Sequence, residues 1–93
     1  MKVIISGASS GIGKALAKEY SKNGAILGLI SRRKNVLQEL KKELPNSCFI
    51  YALDVNDIKA CQSMANDFIM HVGLPDIVIA NAGISHGTLT EYY

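Results

Sequence analysis

Four short apolar runs alternate with segments of helical spacing, and that alternation leaves a chain of 93 residues few ways to fold. Val3 to Ser6 is a β-branched run closed by Gly7, the pattern of a buried strand. From Ile12 the period changes. Ile12, Ala15, Leu16 and Tyr20 share one helical face, Lys14, Lys18 and Lys22 share another, and Gly24 supplies the left-handed residue that commonly stops a helix. Ala25 to Ile30 is the second run, and Leu37, Leu40 and Leu44 carry a second helix that Pro45 ends. Cys48 to Leu53 is the third strand. Asn56 or Asp57 then caps a helix whose inner face is Ile58, Cys61, Met64 or Ala65, Phe68 and Val72, closed by Gly73. Asp76 to Ala80 is the fourth strand.

Strands that are apolar throughout need cover on both faces, so the order βαβαβαβ predicts a parallel sheet between two helix layers. Right-handed crossovers make this a Rossmann-type, three-layer α/β fold, with three helices and four parallel strands in the order 3-2-1-4. The first two helices then lie on one face, and the third crosses to the other. One helix cannot cover a face four strands wide, and the fourth strand keeps an unpaired edge at Ile77-Val78-Ile79. The sheet reads as half built. Self-association is expected, as a homo-oligomer or through the incomplete sheet.

Composition narrows the function classes. At 93 residues the chain is a single unit, with no room for a second domain. Ten Lys and Arg against eight Asp and Glu leave +2, too little to mark a nucleic-acid or membrane surface. Cys48 and Cys61 make neither a disulfide framework nor a zinc motif, and His71 and His86 add no metal pattern. No run approaches the ~18 apolar residues of a membrane helix. The start turns polar at Ser6, too soon for a signal peptide, so a cytoplasmic protein is expected.

The first strand-to-helix turn, Ser6-Gly7-Ala8-Ser9-Ser10-Gly11-Ile12-Gly13, has the chemistry of a dinucleotide site. Gly7 would make the tight turn and Gly11 clear the phosphate path, while Gly13 lets helix pack on strand. Amide groups at the helix N-terminus then face the anion. The competing phosphate cradle, a P-loop, fails on two counts. Gly7 lies one residue too far from Gly13, and Ala15 stands where a magnesium-binding hydroxyl is required. Lys14 then reads as a solvated helix lysine.

The G-x-x-x-G-x-G spacing, with Ser6 before it and Ile12 inside it, resembles the T-G-x-x-x-G-I-G signature of the short-chain dehydrogenase/reductase family. Leu53-Asp54-Val55 after the third strand and Asn81-Ala82-Gly83 after the fourth are similar to two further motifs of that family. All three stretches stand at the carboxyl ends of strands, where open α/β sheets bind ligands.

The resemblance implies roles for particular residues. Ser31 closes the second strand where NAD-binding members usually carry Asp, and Arg32 and Arg33 follow it, which points to NADP and a guanidinium on its 2′-phosphate. Some NADP-binding members have a basic residue at the position of Ser10; here Ser9 and Ser10 offer hydroxyls. Asp54 would bond the adenine amino group, with a backbone contact at Val55. Asn81 would fix the end of the sheet near the adenosine ribose, and Ala82 and Gly83 complete that stretch, Gly83 letting the chain pass close to the cofactor. Ala80 replaces the first Asn of the family's N-N-A-G.

The family's chemistry comes from a Ser and a Tyr-x-x-x-Lys pair farther along a chain more than twice this length. Neither Tyr92 nor Tyr93 is followed by such a Lys, so the catalytic residues are missing from these 93. The expectation is that residues 1–93 are the amino-terminal, NADP(H)-binding portion of a single Rossmann domain. The intact enzyme would be an oxidoreductase moving hydride between NADP(H) and a small carbonyl or alcohol substrate. The alternative is a naturally short protein that binds nucleotide, or pairs with another chain, without chemistry of its own.

Overall fold

The computed structural model describes residues 1–81. In chain order they form β1 (Lys2–Ser6), α1 (Gly11–Lys22), β2 (Ile26–Ser31), α2 (Lys34–Glu43), β3 (Cys48–Ala52), α3 (Ile58–His71) and β4 (Ile77–Ala80). The four strands make one sheet in the order β3-β2-β1-β4, every pair parallel, the order expected of a Rossmann-type fold. Lys2 pairs with Ile26 and Ser6 with Ile30 on one side of β1, while Val3 pairs with Ile77 and Ser6 with Ala80 on the other. That register brings the carboxyl ends of the strands level.

Side chains alternate across the sheet, and the two faces are unequally covered. On one face Val3, Ile5, Leu27 and Leu29 are buried together with Ala17 of α1 and Leu37 and Leu40 of α2. On the other, Ile4 and Ile30 pack with Phe68 of α3, and Met64, Val72 and Val78 are only partly buried around them. Gly28 of β2 makes that contact possible. A Cβ there would stand 2.9 Å from the Phe68 ring, so the strand gives up a side chain to admit the aromatic ring.

Helix boundaries follow from local chemistry. Ser10 caps α1 by accepting the Gly13 N–H, and Asp57 caps α3 by accepting that of Ala60. Leu44 closes α2 in an extended conformation, which the following Pro45 imposes on it. Gly24 and Gly73, at φ 89° and 115°, turn the chain beyond α1 and α3.

Two inner-face assignments are corrected. Ile12 is 67% exposed and Ala15 is also exposed. The seam of α1 is instead Gly13, Ala17 and Ser21, flanked by the partly buried Leu16 and Tyr20. The helix approaches the sheet too closely for large side chains along its centre, so size rather than apolarity sets the buried row. Ser21 also accepts the Asn46 N–H, which gives that buried hydroxyl a partner. On α3, Ile58 is 71% exposed, because the first turn projects beyond the sheet face that Phe68 meets.

Candidate cofactor site

The β1–α1 turn, the end of β2 and the exit of β3 enclose an open cleft of about 340 Å³ at the carboxyl edge of the sheet. Its first wall is the turn. Gly7 adopts φ 68°, a conformation that side chains rarely tolerate, and so reverses the chain within one residue. Ser10 then fixes the loop. Its hydroxyl donates to the Gly7 carbonyl at 2.9 Å and accepts the Gly13 N–H at 3.0 Å. A Cβ on Gly13 would lie 2.2 Å from the Gly7 carbonyl oxygen, so only glycine lets α1 begin here. A Cβ on Gly11 would meet nothing within 4 Å, which leaves the loop open on that side. A helix start offers amides that no intrahelical carbonyl can reach. Ser10 takes that of Gly13 through its hydroxyl, and its carbonyl accepts the first helical bond, from Lys14.

The second wall comes from β2. Ser31, 8% exposed, donates its hydroxyl proton to Ser9 at 2.8 Å and accepts the Arg33 N–H at 3.1 Å. The backbone joins the same elements: Ala8 donates to the Ile30 carbonyl and Leu53 to that of Ser31. Arg32 extends outward, its side chain 79% exposed, with one guanidinium nitrogen 3.9 Å from Asp54. At that separation and exposure the pair adds little stability. It does orient two opposite charges across the mouth of the cleft.

The third wall is the exit of β3. One Asp54 carboxylate oxygen accepts the Asn56 N–H at 2.9 Å, which leaves the other facing Arg32. Val55 takes a bond from the Cys61 thiol through its carbonyl, so the turn into α3 is pinned from the helix side. Burial, with the Asp57 and Asp54 carboxylates, pushes the Cys61 thiol above its ordinary pKa, which keeps it a neutral donor.

The cleft therefore gathers Gly7, Ser9, Ser10, Ser31, Arg32, Arg33, Asp54 and Val55, eight of the residues singled out from the sequence. Gly11, Ile12 and Gly13 are not in its lining; Gly13 is buried beneath the turn and Ile12 points to solvent. Asn81 is also outside the lining. Its amide donates to the Ser10 hydroxyl at 2.9 Å and its backbone N–H to Ser6, which ties β4 to the glycine turn. Ala82 and Gly83 lie outside the described residues. Ile30 and Asn56, which the sequence reading did not assign to the site, and Leu53, which it named only as part of the Leu53-Asp54-Val55 motif, complete the lining. The signal was available, since each adjoins a motif residue at the end of β2 or β3.

A glycine turn feeding a helix N-terminus, with two arginines opposite it, is a setting for a phosphorylated nucleotide. The family model described as short chain dehydrogenase matches residues 1–92. The chain belongs to the short-chain dehydrogenase family. A curated relative, 11-beta-hydroxysteroid dehydrogenase 1A of Arabidopsis thaliana, is 43% identical over 94 residues, covering 96% of this chain. The match spans 27% of that relative, so the chain has well under a third of its length. The L-sorbose reductase of Gluconobacter frateurii, solved with NADPH and L-sorbose, superposes with a TM-score of 0.80 at 31% identity, over 89% of this chain and 33% of that one. A metagenomic short-chain oxidoreductase in complex with NADP gives 0.85 at 26% identity, over 90% of this chain and 39% of that one. The four-stranded order of this short-chain dehydrogenase chain is thus the order its solved relatives share over the same region.

Proposed function

We propose that the cleft binds NADP(H), and that a longer protein carrying these residues moves hydride between NADP(H) and a small carbonyl or alcohol. The observation that carries the reading is the corner formed by Ser31, Arg32 and Arg33. A hydroxyl stands at the end of β2 where a carboxylate would repel a 2′-phosphate, and two guanidiniums follow it. NADPH-bound and NADP-bound members among the solved relatives support the same choice.

The residues present fit such a cofactor. The turn from Gly7 to Gly13 lacks a Cβ where the backbone is closest, and its free amides suit the pyrophosphate. Arg32 and Arg33 would hold the 2′-phosphate, Asp54 and Val55 the adenine, and Asn81 with Ala82 and Gly83 the ribose side. When bound, the nicotinamide supplies hydride chemistry. The chain's own part is to bind, to orient and to exclude the wrong nucleotide. Ser10 keeps the turn in shape, and Asn81 braces it from β4.

A second reading has its own support. Among these 93 residues no Tyr is followed four positions on by Lys, since Gly24 follows Tyr20 and Val55 follows Tyr51 at that spacing. The residues alone would then bind nucleotide, or pair with another chain, without catalysis.

Calorimetric titration with NADPH and with NADH, for the chain and for Arg32→Ala, tests the reading. A guanidinium on the 2′-phosphate predicts a loss of about 1.5–3 kcal/mol for NADPH alone. Equal losses for the two nucleotides would contradict it.

A further inference from the structure

We propose that Ser31, which lines the cleft beside Ser9, acts as a positioning residue that selects the 2′-phosphate through the bond it gives Ser9. The inference rests on the NADP reading and names a residue that sets its specificity.

Ser31 is the last residue of β2 and almost buried. Its oxygen accepts the Arg33 N–H at 3.1 Å, and its single proton goes to the Ser9 oxygen at 2.8 Å. The direction of that second bond follows from counting. A hydroxyl carries one proton and two lone pairs. If Ser31 accepted from Ser9 as well as from Arg33, its own proton would be buried without an acceptor, which is costly. Ser9 therefore receives a proton and must send its own elsewhere, and Ser9 lines the cleft.

The result is a donor chain, Arg33 N–H to Ser31 O–H to Ser9 O–H, whose open end faces the nucleotide. Each link polarises the next. The neighbouring carboxylate does not undo this, because Asp54 gives one oxygen to the Asn56 N–H and turns the other toward Arg32. Ser9, Arg32 and Arg33 thus present donors. A phosphate dianion has only acceptors and matches them. A ribose hydroxyl brings a proton that needs an acceptor of its own. The same Ser31 oxygen also holds the Arg33 amide, so it fixes the turn from which both arginines extend.

The test measures NADPH and NADH affinity of the full chain by calorimetry for wild type, Ser9→Ala, Ser31→Ala, the double variant and Ser31→Thr. Ser9→Ala and Ser31→Ala should each weaken NADPH about 3- to 10-fold and leave NADH within about twofold. The double variant should lose no more than the weaker single one, within about twofold, because both interrupt one chain. Ser31→Thr should keep the preference. Multiplicative losses in the double variant, or equal losses for NADH, would overturn the proposal and leave Ser31 a purely structural residue. Should Ser31→Ala fail to fold, Ser9→Ala decides: an unchanged NADPH-to-NADH ratio overturns it. Wild type without a preference for NADPH overturns the NADP reading and this inference with it. A wild-type preference that the serine variants leave intact overturns this inference alone.

Discussion

Gly13 shows how a single hydrogen atom decides a helix position. The 2.2 Å between its absent Cβ and the Gly7 carbonyl means that any side chain must push α1 away from β1. Gly13→Ala should cost about 1–3 kcal/mol, as overpacking in a closed site does, and should weaken NADPH and NADH together. Urea unfolding with parallel titrations checks this, and a loss confined to NADPH would argue against it. The reach of the sequence at this scale is uneven for a physical reason. Gly7 and Gly13 can be read because their part depends on local backbone. The Ser31–Ser9 and Asn81–Ser10 bonds join residues 22 and 71 positions apart. They follow from strand register, which no motif spacing displays.

At the scale of the element, α3 is the least secured piece. Its main apolar anchor is Phe68, set over Gly28 and edge-on to Phe49, while Met70 and Ile58 are exposed. A polar clasp assists it: the Tyr51 hydroxyl on β3 donates to Asp67 at 2.8 Å. Burial, then the bond to Asp67 and its negative charge, push the Tyr51 pKa above the ordinary phenol range. A pKa raised on folding stabilises fully below the unfolded value, near 10 for tyrosine, and that contribution fades as pH rises toward the folded value. Tyr51→Phe should therefore lower stability by about 1 kcal/mol at neutral pH. The gap should close in thermal melts taken above about pH 10. A gap constant with pH would refute the clasp. The helix periods were legible here because Phe68 and Val72 recur with the turn. The exposure of Ile12 and Ile58 was not, since it depends on how each helix is seated on the sheet, as the small-residue seam of α1 shows.

For the molecule as a whole, the inequality of the two faces is the governing feature. The face under α1 and α2 is the better covered, with Ile50, Ile77 and Ile79 partly buried at its margins, but the face under α3 leaves an apolar space of about 210 Å³ bordered by Ile4, Ile30, Met64, Ile69 and Val78. No strand pairs with the outer edge of β4 among the described residues. We expect the chain alone to self-associate through that edge or face. Sedimentation across a hundredfold range of concentration would show it. A monomer throughout, with all four strands protected from hydrogen exchange, would refute it. The parallel sheet was legible from the alternation of elements; handedness leaves a handful of strand orders, of which β3-β2-β1-β4 is the Rossmann one. The central position of β1 has a consequence for synthesis. Its partners on either side differ greatly in when they appear, for β2 follows directly whereas Asn81, which braces the turn at Ser10, comes 71 residues later. At about 5–20 residues per second that is a delay of roughly 4–14 s. Throughout that interval the nucleotide turn exists without its brace, so a ribosome-bound chain should become competent to hold the cofactor only after β4 has emerged.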